Sequence, residues 1–323
     1  MALTWHGPAT VLMLEPKTWP ARLAIGTAAG ALGYAGTVFT ASRSPMTRAQ
    51  AYMCVDLGYR GIVFAHGLDA VFKFGPNPRR VLGLWLASVA GQAGGYFAAR
   101  GMTTGQVTTA ITYTDLAIVE GFFVATIAND VVFHGSTWSS APSWGSIPGT
   151  VLGFGAGMLC QRGSDGTEGQ AALAWCGGLT GAFVPGAVYF AARGRNGLRD
   201  QTVMSALGMA GSVAGAVLTG HLVHSRPVSA SQACAVLGTT VAGLLLGGGL
   251  GLAVAQNGRG VAAGSVAGAL VGQSCGLVTV LGRPAATRDD GRVRINVQGL
   301  AGAVVALVAV REFAVSRFVV LGF

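Results

Sequence analysis

The chain has 323 residues, of which 51% are hydrophobic and only 10% are charged, and 52 are glycine. Soluble domains carry about 25% charged residues and about 7% glycine, so the composition argues against a water-soluble globule. Disordered and collagen-like chains are poor in Val, Leu and Ile or follow a strict glycine triplet, and neither description fits. The composition predicts an integral membrane protein.

Residues 1–20 lack the basic region and adjoining apolar core of a signal peptide, so we interpret them as an interfacial segment before a retained first span. About 20 helical residues cross a hydrocarbon core of about 30 Å. Apolar windows of about that length follow at 21–41, 49–71, 79–99, 105–128, 145–161, 169–192, 201–223, 231–255, 259–282 and 297–321. The window at 145–161 is short enough to be re-entrant instead. We therefore predict an all-α, polytopic integral membrane protein, with about ten glycine-rich transmembrane helices in a single domain, 21–323.

Every other window begins with the same motif, a Ser or Thr, two residues, Gln and a small apolar residue. In a capping box of this kind the hydroxyl accepts from the N3 amide while Gln accepts from the N-cap amide. Such pairing suits a helix entering a membrane, where an unpaired amide is especially costly. The predicted boxes are Thr47 with Gln50, Thr103 with Gln106, Thr167 with Gln170, and Ser229 with Gln232.

Small residues recur at fixed distances behind these glutamines. The eleventh residue after each is Gly61, Ala117, Gly181 or Gly243, and the fifteenth is Ala65, Gly121, Pro185 or Gly247. We predict an internal repeat of two helices, present about four times. Its copies lie at 47–100, 103–162, 167–224 and 229–282, with extra helices at 21–41 and 297–321.

The second helix of the last copy carries a row of glycines four residues apart. Mid-helix glycine is about 1 kcal/mol less favourable than alanine in water, whereas in lipid such a row forms a ridge for a neighbouring helix. We expect this ridge to pack inside the protein, with Gly243 and Gly247 as its nearest partners. A surface for oligomers or other subunits is the alternative. The row consists of Gly260, Gly264, Gly268, Gly272 and Gly276.

Ionisable residues concentrate in the first two capped helices. Asp56 and Arg60 are four residues apart and share a helix face, and Asp115 and Glu120 follow in the second capped helix. A charge near the bilayer centre costs several kcal/mol unless it is paired or hydrated. Two interpretations stay open: an ion or proton pathway, and a neutralised structural pair.

Signals for enzymes and for nucleic-acid binding are missing from the sequence. It has no G-x-S-x-G, P-loop or HExxH motif, and His221 and His224 have no acidic or Cys partners nearby. The net charge of +9 lies mostly between the windows, where it favours anionic lipid, and no basic run has interleaved aromatics. We expect no enzymatic activity, no cofactor, no metal and no nucleic-acid partner.

Two resemblances add to this interpretation. The repeated T-x-x-Q-A followed by G-x-x-x-G, across about 43–282, resembles glycine-rich repeat membrane proteins of bacteria, a group without an assigned activity. Residues 177–220, two glycine-rich helices around a basic RGR and an acid, are similar to the mitochondrial preprotein-translocase channel family. That family has four glycine-zipper helices and includes a respiratory complex I accessory subunit. The similarity implies that Arg195 and Asp200 lie in a loop connecting two helices.

These features predict a non-enzymatic glycine-zipper protein that acts as a scaffold or accessory subunit. Its expected partners are the lipid bilayer and other membrane subunits, or further copies of itself. A transporter or channel is the alternative, with Asp56, Arg60, Asp115 and Glu120 along its pathway. The bacterial cell membrane is the favoured location and the mitochondrial inner membrane the alternative.

Overall fold

The computed structural model describes residues 7–14, 17–43, 46–72, 77–132, 141–163, 166–194 and 198–282. This part of the chain is helical and contains no strand, so the all-α prediction is confirmed there. One 3-10 turn, Gln161–Gly163, follows α6. The helices are α1 (Gly7–Leu14), α2 (Trp19–Arg43), α3 (Arg48–Phe72), α4 (Asn77–Ala98), α5 (Thr104–Val131), α6 (Ala141–Cys160), α7 (Glu168–Arg193), α8 (Leu198–Val223), α9 (Ala230–Ala255) and α10 (Gly258–Leu281).

Six stretches within the described residues are long and apolar enough to cross a membrane. This supports an integral membrane protein, although the sequence predicts about ten spanning helices. Helices α2, α3 and α6 are not among the six, and the predicted window at 297–321 lies outside the described residues. The six stretches are Pro78–Ala98, Thr104–Val131, Glu168–Arg193, Asp200–Val223, Ala230–Ala255 and Gly258–Leu281.

Contacts divide the chain into two compact units, Met1–Ser164 and Asp165–Phe323, where the sequence predicts a single membrane domain. The boundary falls between the second and third capped motifs. Each unit contains two helical hairpins, α3–α4 and α5–α6 in the first and α7–α8 and α9–α10 in the second.

In the first unit, α3 also packs against α5 and α6, and the short α1 contacts α2 and α4. Its apolar cluster joins the beginnings of α3 and α5 to the end of α4 through Ala49, Met53, Ala99, Val107 and Ala110. In the second unit, α7 contacts both α9 and α10. Its cluster consists of Leu173, Val223, Val228, Ala233, Val236 and Val280.

The turn between α9 and α10 shows how local chemistry closes a hairpin. Gln256 adopts the left-handed conformation (φ 49°) and its amide donates to the carbonyl of Leu252, which ends α9. Asn257 then caps α10, because its Oδ1 accepts from the Gly260 amide at 2.9 Å. The chain therefore reverses within a few residues and brings the two glycine-rich helices together in antiparallel orientation.

Candidate functional site

The helices of each hairpin approach so closely that their contact consists of main chain. Along α9 and α10, Gly243 lies opposite Gly268 and Gly247 lies opposite Gly264. A Cβ atom added to any of these four would lie closer than 3.0 Å to a carbonyl oxygen of the partner helix. Gly251 and Gly260 continue the pairing toward the turn. The paired glycines are therefore four residues apart on both helices and run in opposite directions along α9 and α10.

The rest of the glycine row also faces α9. A Cβ on Gly272 would collide with the carbonyl of Thr239, and one on Gly276 would lie 2.9 Å from the Cα of Val236. All five glycines of the row therefore contact the neighbouring helix of their own hairpin. In lipid, close backbone contact of this kind gains dispersion energy and weak Cα–H···O interactions.

The other three hairpins use the same type of contact. Gly181 meets Gly211 between α7 and α8, and Gly121 meets Gly145 between α5 and α6. Between α3 and α4, a Cβ on Gly61 would collide with the carbonyl of Ala87. The residue eleven positions after each motif Gln lies at this contact in all four hairpins: Gly61, Ala117, Gly181 and Gly243.

The four capped helices begin with the hydrogen bonds of a capping box. The motif Gln accepts from the N-cap amide at 2.7–3.0 Å, and the N-cap hydroxyl accepts from the Gln amide at 3.2–3.3 Å. The structure places the predicted groups in this geometry for Thr47 with Gln50, Thr103 with Gln106, Thr167 with Gln170, and Ser229 with Gln232.

Two of the glutamines have a second role that the motif alone does not reveal. The Nε2 group of Gln170 donates to the carbonyls of Val223, His224 and Arg226 at 2.9, 3.1 and 2.9 Å. In the same way, Gln50 Nε2 donates to the carbonyl of Tyr96 at 3.3 Å. These carbonyls lie at the ends of α8 and α4, so one side chain joins the start of one helix to the end of the next. A carboxylate cannot donate, which explains Gln in place of Glu.

Three of the predicted pathway residues form one ionic cluster between α3 and α5. The Arg60 side chain is only 4% exposed and donates to the Asp56 carboxylate through Nε and Nη2, the latter at 2.9 Å from Oδ1. Its Nη2 also lies 3.1 Å from Asp115 Oδ1 and 3.0 Å from the carbonyl oxygen of Ile111. Arg60, on α3, therefore contacts one carboxylate of its own helix and one carboxylate and one main-chain carbonyl of α5.

The cluster combines one permanent cation with two carboxylates. A buried charge is tolerated only when it is paired, and Arg60 cannot relieve its burial by losing a proton. The side chain of Asp115 is 35% exposed, against 15% for Asp56. The arrangement can therefore fix the position of α3 against α5, and Asp115 is the more accessible of its two carboxylates.

Glu120 lies further along α5, and its carboxylate oxygens are buried. Five residues turn a helix through about 140° beyond a full rotation, so Glu120 and Asp115 occupy different faces of α5. The sequence prediction grouped the two as one pathway. Asp115 lies at the α3 contact, where it pairs with Arg60, and Glu120 lies on another face of α5.

The second unit has a neutral counterpart of this ionic cluster. Cys176 and Thr240 are both buried, and Cys176 Sγ lies 3.9 Å from Thr240 Oγ1 between α7 and α9. Cys176 is six residues after Gln170, as Asp56 is six after Gln50. The contact between successive capped helices is thus charged in the first unit and uncharged in the second.

The described residues contain no group of three or more His, Cys, Asp and Glu side chains that could hold a metal ion. Asp200 accepts from the Tyr189 hydroxyl at 2.7 Å and lies in the first turn of α8. The implied loop position of Asp200 is therefore wrong, because α8 begins at Leu198. Arg195 lies outside the described residues.

No family model, no curated protein and no solved structure matches this chain. Neither resemblance drawn from the sequence gains support from these comparisons. Function must therefore be inferred from the geometry of the described residues, which include six helices long and apolar enough to cross a membrane.

Proposed function

We propose that the chain is a non-enzymatic scaffold or accessory subunit of a larger membrane assembly, built from four two-helix repeats of the glycine-zipper type. The main support for this proposal is the close contact between the two helices of each hairpin. Their contacts are made by main chain and small residues, which leaves the large apolar side chains on the outside. Val254 is 85% exposed, and the same outer face of α9 presents Leu246 and Leu250.

The outer side of the α9–α10 hairpin supports this role. An open apolar groove runs along it, with glycines such as Gly243, Gly247 and Gly268 in its floor and Leu246 and Leu250 at its side. In lipid, helices associate where small residues allow close approach, since apolar burial alone provides little driving force. Such a surface suits a protein that packs against other membrane helices.

The repeat interpretation is supported by the matching boxes and contacts of the four hairpins. Each begins with the same capping box, and each has a small residue at the eleventh position after Gln, against the returning helix. The resemblance to bacterial glycine-rich repeat proteins favours the bacterial cell membrane as the location. The mitochondrial inner membrane is the alternative.

Mass spectrometry of intact complexes after mild detergent extraction tests the subunit role. A tagged chain expressed in its native cells and extracted from their membrane should retain further subunits at a fixed stoichiometry. The double variant L246A/L250A, on the exposed face of α9, should weaken that retention. The matched control L152A/L159A, which truncates exposed leucines of α6, should not. A lone monomer from the unaltered chain would refute the proposal.

A transporter or channel is the second candidate, favoured by the ionic cluster of Asp56, Arg60 and Asp115. These charges lie in the middle of α3 and α5, where an intramembrane ionisable group commonly marks an ion or proton route. Ion or proton flux into reconstituted vesicles should then be abolished by D56N or D115N and preserved by T240V, which alters the neutral counterpart. Absence of flux in the unaltered protein would exclude this candidate.

A further inference from the structure

We propose that one end of the first unit is a docking surface for anionic phospholipid head groups. At this end α3 and α5 begin and α4 and α6 finish. A single apolar cluster joins them, with Met53, Ala99 and Val107 buried and Met158 packed against them. The hydrogen bond from Gln50 to Tyr96 ties the start of α3 to the end of α4. Residues around this cluster therefore form one continuous surface.

Three exposed arginines surround the cluster. Arg48 is the first residue of α3, Arg100 follows the end of α4, and Arg162 lies in the 3-10 turn after α6. The stretches that contribute them, 46–52, 96–106 and 157–163, contain no Asp or Glu. The formal charge that these stretches bring to the surface is therefore only positive.

The side chains of two of these arginines lie over aromatic rings. Arg100 Cζ lies 4.6 Å from the ring centroid of Phe97 and 5.4 Å from that of Tyr96. Arg48 Cζ lies 5.2 Å from the ring centroid of Tyr52, and its Nη2 donates to the Tyr52 hydroxyl at 2.7 Å. Tyrosine and long cationic side chains at helix ends are typical of the boundary between lipid and water.

The chemistry of guanidinium groups identifies the phosphodiester of a lipid as the occupant. A guanidinium presents parallel donors that match two oxygens of one phosphate. Several guanidinium groups at one interface favour lipids with a net negative charge, because each cation contributes further to the free energy of attraction to an anionic leaflet. Free phosphate shares the chemistry but lacks the acyl chains that would rest against the apolar sides of the helices.

The opposite end of the same helices has a mixed charge. There Arg80 Nε lies 2.8 Å from Asp69 Oδ2, and Arg80 Nη2 lies 3.3 Å from His66 Nδ1. Part of the cationic charge is thus paired within the protein. Arg79 is exposed at this end, and Lys17 is exposed between α1 and α2, outside the three stretches that carry the arginines. Removing these two cations provides a control with the same change of formal charge. Arg79 lies in the first turn of α4 and Arg100 just beyond its end, about 30 Å apart along the helix axis.

The test measures lipids retained by the full chain in a detergent solution with equimolar phosphatidylcholine and phosphatidylglycerol, by mass spectrometry of the intact protein. We expect phosphatidylglycerol to be enriched, and R100Q/R162Q to reduce the enrichment by about fivefold for each arginine removed. K17Q/R79Q should leave it unchanged. R100K/R162K, which keeps the charge but loses the paired donors of guanidinium, should give an enrichment between that of the unaltered chain and that of R100Q/R162Q.

Four outcomes would overturn the proposal: no enrichment in the unaltered chain, an equal loss in K17Q/R79Q, a loss in R100K/R162K as large as that in R100Q/R162Q, or displacement of the lipid by millimolar inorganic phosphate. Circular dichroism of each variant checks that its helices are intact. The lipid measurement is independent of co-purifying subunits, so its failure and that of the subunit role are distinguishable.

Discussion

Replacing Gly247 by alanine should destabilise the protein, although alanine is the better helix former. The added Cβ would lie 3.0 Å from the Cα of Gly268 and collide with the carbonyl of Gly264. Both groups are main chain, so α9 and α10 must move apart. Gly249, on the same helix, has nothing within 4 Å of such a Cβ. Gly249→Ala therefore gains the helix propensity, at most about 1 kcal/mol, without a collision.

Comparing the two variants isolates the helix contact, because the gain in helix propensity is common to both. Overpacking a close contact typically costs about 1–3 kcal/mol. We expect the free energy of unfolding of Gly247→Ala to lie below that of Gly249→Ala by that amount. Unfolding can be followed by titration with sodium dodecyl sulfate in mixed micelles, with alkylation of the buried Cys176 as the reporter. Equal free energies for the two variants would refute the backbone-contact account.

Two further substitutions test the polar contacts by the same measurement. Arg60→Met leaves two carboxylates without their cation and should lower the free energy of unfolding by about 3–5 kcal/mol. Arg80→Met breaks a more exposed ion pair and should lower it by at most about 1 kcal/mol. Gln170→Glu keeps the capping acceptor but loses donation to three carbonyls, and should cost about 1–3 kcal/mol. Gln106→Glu should be nearly neutral, since the described bonds of Gln106 are those of the box.

Each of these expectations has a result that contradicts it. If Arg60→Met and Arg80→Met change stability equally, the ionic cluster does not hold α3 against α5. If Gln170→Glu is as mild as Gln106→Glu, the carbonyls at the end of α8 are satisfied by other groups.

The helices could be predicted from sequence because their signals are local. The windows at 49–71 and 231–255 match α3 and α9 within one residue at each end, since capping motifs mark where those helices start. The eight-residue α1 was not predicted as a helix, because 1–20 lacks a comparable pattern. Division into two units depends on contacts between helices far apart in sequence, and no composition change marks it.

The candidate site was predicted in part. The spacing of Asp56 and Arg60 indicated one helix face, and their ion pair is local. The contact of Arg60 with Asp115 joins residues 55 positions apart, which spacing on one helix cannot indicate. The second role of Gln170 was missed for the same reason. Its only sequence signal was the use of Gln in all four boxes, where Glu would serve the box equally well.

The sequence by itself determined that the described part of the chain is helical, and that the chain is apolar with small residues four apart, because composition, periodicity and capping act within one or two turns. The tertiary structure decided which glycines face each other, and it placed Gly243 against Gly268 and Gly247 against Gly264. It also decided that the contact between capped helices is ionic in one unit and neutral in the other. The physical reason is that helix packing depends on the relative rotation and register of two helices, and these are set only when both are in place.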